Sequence, residues 1–319
     1  VTRTEDAQDH VIALDVGGTA IKAALYDPGF RPLVEIRRPT GDPAGAVDTV
    51  LGVAAELYDA AVTRLGRPPS AAGVCVPGLV DAAAGIAVWS ANLGWRDVPL
   101  RRLLTDRLDG LPVAIGHDLR TAGLAEARLG AGAGRSRFLL VALGTGIAGA
   151  IGIDGVIEAG AHGGAGEIGH LIVRPGGALC GCGRRGCLET VASAAAVGRA
   201  WAAACGDPAA DAAHAARAVA AGDPRAAAVW RTAVDGLADG LLAAVRLLDP
   251  GTVLLGGGLA EAGDLLLAPV REALAERIAF QRMPEILPAA LGDSAGRLGA
   301  ALLAHDARPL PLTAEVDAR

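Results

Sequence analysis

From Val11 onward the apolar positions come in short bursts. VIALDV, AIKAALY and LVEIRRP are separated by Gly17-Gly18 and by Asp27-Pro28-Gly29, which predicts three short β-strands joined by tight turns. The period then lengthens: across residues 43–65 apolar side chains recur at helical spacing and stop at Gly66 and the pair Pro68-Pro69. AAGVCVPGLVD reads as a buried strand closing in a Pro-Gly turn, and LPVAIGHDL as another. An Ala-rich helix is predicted from about Thr121 to Leu129. Strands and helices alternating in this way predict an α/β architecture.

A second cycle opens at RFLLVALGTGIAGAIGIDGVIEAG, where two strands flank a glycine turn and Asp154-Gly155 offers a hairpin. DVGGT and LGTG both end a strand and both precede an alternating one, so two halves of similar topology are expected. Residues 190–248 carry Ala and Leu at helical spacing, broken at Gly206-Asp207-Pro208 and Gly222-Asp223-Pro224, which fits three helices. TVLLGGGLA reads as the last buried strand, running through a glycine triplet into the helix AEAGDLLLAPVREALAERI. LGDSAGRLGAALLAH supplies a final helix, and the tail RPLPLTAEVDAR reads as frayed.

Composition narrows the class of ligand. A chain of 319 residues has room for two domains, and 45 glycines with 3% aromatic residues leave Leu, Val, Ile and Ala to build the core. A net charge of −6 without basic clusters argues against nucleic acid or an anionic membrane as partner, and a small molecule is expected instead. VTRTEDAQDH at the start is too polar for a signal peptide or a span. The longest uncharged run, Phe138 to Ile153, contains four glycines and falls short of the ~20 residues a spanning helix needs. The expectation is therefore a cytoplasmic protein, in a reducing compartment that disfavours structural disulfides.

The glycine loops point to phosphate. GTGIAG matches the dinucleotide pattern GxGxxG, but a strand and an Asp-Gly turn follow it where a helix is required. No GxxxxGK[ST] is present, which excludes a P-loop. Backbone N–H groups in hairpin turns offer another cradle. Gly17-Gly18-Thr19 would take one end of a triphosphate and Gly144-Thr145-Gly146 the other. Gly256-Gly257-Gly258, expected at a helix N-terminus, would face the nucleoside. Asp15 stands where a carboxylate holds Mg²⁺ through water. Any one of these loops alone would read as an ordinary tight turn.

CGCGRRGC places Cys180, Cys182 and Cys187 within eight positions, for which a disulfide, a redox pair and a metal are the candidate explanations. The C-x-C-x4-C spacing is not the C-x-x-C of thiol redox proteins. Zinc takes four tetrahedral ligands in a structural site, and His170 upstream would complete a Cys3His set. A glycine-rich loop with free thiols is the competing reading. Glu167 lies three residues before His170 and Glu189 two after Cys187. Carboxylates beside a metal-fixed imidazole suit the hydroxyls of a sugar, although either glutamate alone would read as a surface charge.

DVGGTAIK, VPGLVD, NLGW, HD at a strand end, LGTG, AGEIGH and CGCGRRGCLE occur in that order. In these motifs the chain resembles the ROK family, which groups sugar kinases such as bacterial glucokinase with sugar-responsive repressors. The resemblance implies the actin-like (ribonuclease H-like) ATPase fold, a duplicated βββαβα unit with a cleft between two lobes. Residues 11–118, joined by the C-terminal helix 296–306, would form the smaller lobe; 119–295 would form the larger, with the zinc loop and a helical insert. It implies ATP-dependent phosphorylation of a hexose, glucose first, at the 6-hydroxyl, by a homodimer or homotetramer.

By the same resemblance Asp118 is the catalytic base. Gly78, Asn92, His117, Glu167, His170 and Glu189 fall at sugar-binding positions, and His170, Cys180, Cys182 and Cys187 at the zinc site. Two residues depart from the pattern. His117 stands where Asn is common, and Ala20 follows DVGGT where Lys is usual, with Lys22 two positions on. His117 is read as a substitute hydrogen-bond donor, as the mark of another sugar such as N-acetylmannosamine or N-acetylglucosamine, or as a core histidine. The repressors carry a DNA-binding segment ahead of the DVGGT strand. About ten residues precede it here, so an enzyme is expected over a regulator or a silent sugar binder.

Overall fold

The computed structural model describes residues 10–308; the segment before His10 and residues 309–319, on which the expectation of a frayed tail mostly falls, lie outside the described residues. The chain divides into two compact units, one running to Thr121 and resuming at Gly296, the other spanning Ala122–Ala295.

In the first unit β1 (Val11–Val16), β2 (Ala20–Tyr26) and β3 (Pro32–Pro39) form an antiparallel meander. α1 (Ala46–Leu65) follows, ending where Gly66 turns left-handed at φ 69°. β4 (Ala71–Val76) pairs parallel to β1. A small sheet of β5 (Leu79–Asp81), β6 (Ile86–Ser90) and β7 (Trp95–Val98) comes next, then α2 (Leu100–Arg107) and β8 (Val113–His117), which completes the order β3-β2-β1-β4-β8.

Strand alternation separates the two faces of this sheet. Ile12, Leu14 and Val16 of β1 are fully buried in the cluster that includes Val50, Leu57, Leu100 and Leu104 of α1 and α2. Val11 and Ala13 face the other way, into a cluster with Ala300, Ala301 and Ala304 near the C-terminus. The small side chains on that second face let a helix come close, and by the same alternation Asp15 and Lys22 point to it.

α3 (Asp118–Leu129) leads into the second unit. β9 (Arg137–Leu143), β10 (Ile147–Ile153) and β11 (Val156–Glu158) form another meander, with Asp154 (φ 49°) and Gly155 (φ 81°) making the expected hairpin turn. After the short α4 (Glu189–Ala192) come α5 (Ala194–Cys205), α6 (Ala212–Ala220) and α7 (Pro224–Leu248). Each of the last three begins at a side-chain cap, from Ser193, Asp211 and Asp223 in turn, and Pro224 occupies the first turn of α7. β12 (Thr252–Gly256), α8 (Asp264–Arg277), β13 (Glu285–Pro288) and α9 (Ala295–Asp306) finish the chain, giving the sheet order β11-β10-β9-β12-β13.

Several sequence expectations need correction. TVLLG is not the last strand: β13 follows, because EILP pairs parallel to β12. The glycine triplet does not open an α-helix. It leads into a 3-10 turn over Gly258–Ala262, and α8 starts only after Gly263, whose φ of 59° breaks the run. α3 begins at Asp118, three residues earlier than predicted, because Asp118 and Leu119 already join its first turn.

Candidate active site and metal centre

In the first unit the β1–β2 turn is closed by Gly17 N–H donating to Ala20 O at 3.0 Å, and pinned by the buried Thr40, whose hydroxyl donates to Gly17 O at 2.6 Å. A Cβ on Gly18 would lie 3.0 Å from that of Asn92, so the turn backbone rests directly against the β6–β7 loop. Gly78 sits beside Trp89 and Ser90 of the same hairpin with φ 101°, a conformation that suits glycine. The structure thus brings Gly17, Gly18, Asn92 and Gly78 together.

Asp15 ends β1 opposite Lys22, whose Nζ is 3.9 Å from Asp15 Oδ2. The other carboxylate oxygen receives the thiol of Cys75 at 3.6 Å, and Gly296 O is a second acceptor for that thiol at the same distance. Burial, with the nearby charges of Asp15 and Asp118, pushes the Cys75 thiol well above its ordinary pKa, so it stays a neutral donor. Sequence reasoning missed Cys75 and Thr40. The signal for Cys75 is the β1–β4 register, which sets Asp15 opposite it.

Asp118 is the first residue of α3, where the helix dipole favours a carboxylate, and its Oδ1 accepts the Leu119 N–H at 2.7 Å. His117, at the end of β8, has Nδ1 3.3 Å from that same oxygen and accepts the Arg120 N–H at 3.4 Å. The imidazole is largely buried, while the Asp118 side chain is 40% exposed.

In the second unit the Gly144-Thr145-Gly146 turn closes between β9 and β10 through Gly144 N–H and Gly146 O, 3.0 Å apart. Gly257, at φ 82°, crosses Leu143 so closely that a Cβ would stand 2.7 Å from its backbone, which sets the glycine triplet beside this turn. Glu189, opening α4, accepts the Ile147 N–H at 3.1 Å.

His170 ends a 3-10 turn that follows Glu167. Its Nδ1 is 3.6 Å from Cys180 Sγ and its Nε2 is 3.8 Å from Glu167 Oε2. Cys182 and Cys187 sulfurs are 3.6 Å apart, and ligand atoms of His170, Cys180, Cys182 and Cys187 all lie within 4.8 Å of one another. Tetrahedral zinc with Zn–S near 2.3 Å places its sulfurs about 3.8 Å apart, so the donor set fits that ion in both chemistry and spacing. Without metal, burial pushes the Cys187 thiol up to about 12 and raises Cys180, while the Arg184 backbone N–H pulls Cys182 below its usual value. Arg174 anchors the loop: its N–H meets Gly186 O at 3.0 Å, and its guanidinium pairs with Asp239 of α7 at 2.6 Å.

Two sheets with the same strand order, each opening in a glycine hairpin, define the duplicated actin-like, ribonuclease H-like ATPase architecture. Residues 11–307 match the ROK family, and the chain belongs to it. A glucokinase of Thermotoga maritima is 32% identical to it, over 91% of this chain and 96% of that one. An N-acetylgalactosamine kinase of Shewanella sp. is 34% identical, over 92% and 96%. The crystal structure of a ROK family glucokinase from Streptomyces griseus, in complex with glucose and AMPPNP, superimposes with a TM-score of 0.80 at 32% identity, covering 93% of this chain and 99% of that one. Among the described residues no helix is long and apolar enough to cross a membrane.

Proposed function

We propose that the protein transfers the γ-phosphoryl group of ATP to the 6-hydroxyl of a hexose, with glucose as the first candidate. The observation that carries this reading is the similarity to glucokinases along nine-tenths of the chain, together with Asp118 held at the start of α3. Asp118 accepts the proton of the attacking hydroxyl while that oxygen bonds to the γ-phosphorus. The β–γ bridging oxygen departs with ADP. Positioning and charge neutralisation supply most of the rate in such transfers.

Asn92, Gly78, His117, Glu167, His170 and Glu189 are assigned to the sugar hydroxyls. The turn Gly17-Gly18-Thr19 and Lys22 are assigned to the phosphates, with Gly144-Thr145-Gly146; Gly256-Gly257-Gly258 are assigned to the nucleoside side. Asp15 is a hard oxygen ligand that suits hydrated Mg²⁺, which neutralises phosphate charge when bound. His170, Cys180, Cys182 and Cys187 would hold a structural Zn²⁺. Its chemistry here is to fix the loop and the direction in which His170 presents Nε2.

The decisive experiment is coupled ADP release with Mg²⁺-ATP across hexoses and N-acetylhexosamines, with polyphosphate as an alternative donor. Turnover on glucose supports the proposal. Turnover only on an amino sugar moves the substrate toward that of the Shewanella relative, and binding without turnover moves the protein to a sensor.

A further inference from the structure

Glu189 touches two things at once. Its Oε2 accepts the Ile147 N–H at 3.1 Å, at the exit of the Gly144-Thr145-Gly146 turn, and its Oε1 lies 3.7 Å from Cys180 Sγ. Gly146 itself presses on the carboxylate, because a Cβ there would overlap Oε2. A second bond fixes the turn from the same segment, Ala194 N–H to Gly144 O at 2.8 Å. The placement of Glu189 is set from below: the preceding Leu188 is fully buried and seats on Gly236 and Gly240 of α7, where added Cβ atoms would stand 3.7 and 2.7 Å from its methyl carbons. Cys187, a residue of the metal cluster, comes just before Leu188 in the chain.

We propose that Glu189 is a positioning residue that couples the Cys/His metal cluster to the nucleotide turn, so that metal and nucleotide bind cooperatively. This goes beyond the sugar contact assigned to Glu189 and rests on the kinase reading for its nucleotide. The cluster fixes Cys180, whose Sγ lies 3.7 Å from Glu189 Oε1, and Cys187, two residues before Glu189 in the chain. The carboxylate then holds Ile147 N–H and shapes the turn whose backbone meets the phosphates. Linkage makes the effect reciprocal: a metal that orders the turn for nucleotide is itself retained more tightly when nucleotide is bound.

The test follows metal release from the folded, zinc-loaded protein into a chromogenic chelator, with and without Mg²⁺-AMPPNP. Calorimetry on the same samples records whether the nucleotide binds. In the natural chain the nucleotide is expected to slow release by about fivefold or more, the lower end of ordinary coupling. Glu189→Ala, which removes both contacts, abolishes the slowing, and Glu189→Gln, which keeps an acceptor for Ile147, retains most of it. Release that ignores bound nucleotide overturns the coupling, as does an undiminished effect in Glu189→Ala. Calorimetry showing no nucleotide binding to the loaded natural chain would instead overturn the kinase reading.

Discussion

His170 turns Nδ1 toward Cys180 Sγ at 3.6 Å while its Nε2 faces Glu167 at 3.8 Å. One ring therefore belongs to the metal cluster on one side and to the proposed sugar carboxylates on the other. Metal analysis is expected to find about one zinc per chain, as one four-ligand site requires. Cys182→Ala should lose the ion, lower the melting temperature and weaken hexose binding together, because metal binding and folding of the loop share one free energy. Metal-free protein with unchanged melting and hexose affinity would remove the cluster from any part in the pocket.

Asp118→Asn keeps the size of the side chain and its acceptor for Leu119 N–H, but cannot take a proton. Turnover is expected to fall by about 10²–10⁴, the usual worth of a positioned base, while hexose affinity measured by calorimetry stays within a few-fold. Normal turnover in this variant would show that another group accepts the proton.

Much of the fold was legible because local chemistry dictates it. The meanders announce themselves by alternation and glycine turns, and α6 and α7 by the Gly-Asp-Pro breaks before them, whereas the short α4 adds a fourth helix to the three expected there. What escaped is non-local. β13 has four residues and no periodicity of its own; pairing with β12 makes it a strand. Cys75 lies 60 residues from Asp15 and meets it only through sheet register. Of the residues assigned to the site, Glu167, His170 and Glu189 could be picked out from spacing to the cysteines. Asp118 and Asn92 rested on family resemblance, since a lone Asp at a strand end carries no role by itself.

Gly236 and Gly240 look like weak points in a 25-residue helix, yet they form the seat of Leu188. Gly240→Ala gains ~1 kcal/mol of helix propensity but drives a methyl to 2.7 Å from Leu188 Cδ2, and overpacking of this kind costs about 1–3 kcal/mol. The net expectation is a loss of about 1 kcal/mol and a melting temperature lower by about 1–2 °C, read by calorimetric unfolding. Zinc retention should weaken in parallel, since Cys187 adjoins Leu188. A stabilised variant would mean that α4 shifts freely on α7.

Asp239 pairs with both Arg174 and Arg277, the latter at 2.9 Å. Partial burial pushes its carboxyl up, but the two guanidiniums outweigh that and hold it below the ordinary range. A depressed native pKa stabilises the fold above the unfolded value of about 4, and this contribution is lost as pH falls through the native value. Acid unfolding should therefore steepen below about pH 4, and Asp239→Asn should flatten that limb while lowering stability at neutral pH. An unchanged acid limb would show the pair to be thermodynamically silent, as many exposed pairs are.

His117 makes the sharpest prediction about substrate. The His117 ring stands beside the proposed base, with Nδ1 3.3 Å from Asp118 Oδ1 and 3.4 Å from the Arg120 N–H, and Nε2 is its second polar atom. Asn in its place would offer both a donor and an acceptor from a shorter side chain. His117→Asn is therefore expected to change the ratio of kcat/KM between glucose and N-acetylglucosamine on the order of tenfold, because a site built around one polar contact discriminates strongly when that contact changes. The KM for ATP should hold steady, which separates a sugar contact from general disorder of the β8–α3 junction. If the ratio stays fixed while stability drops, His117 is a core residue, and selectivity must come from Asn92, Glu167 and Glu189.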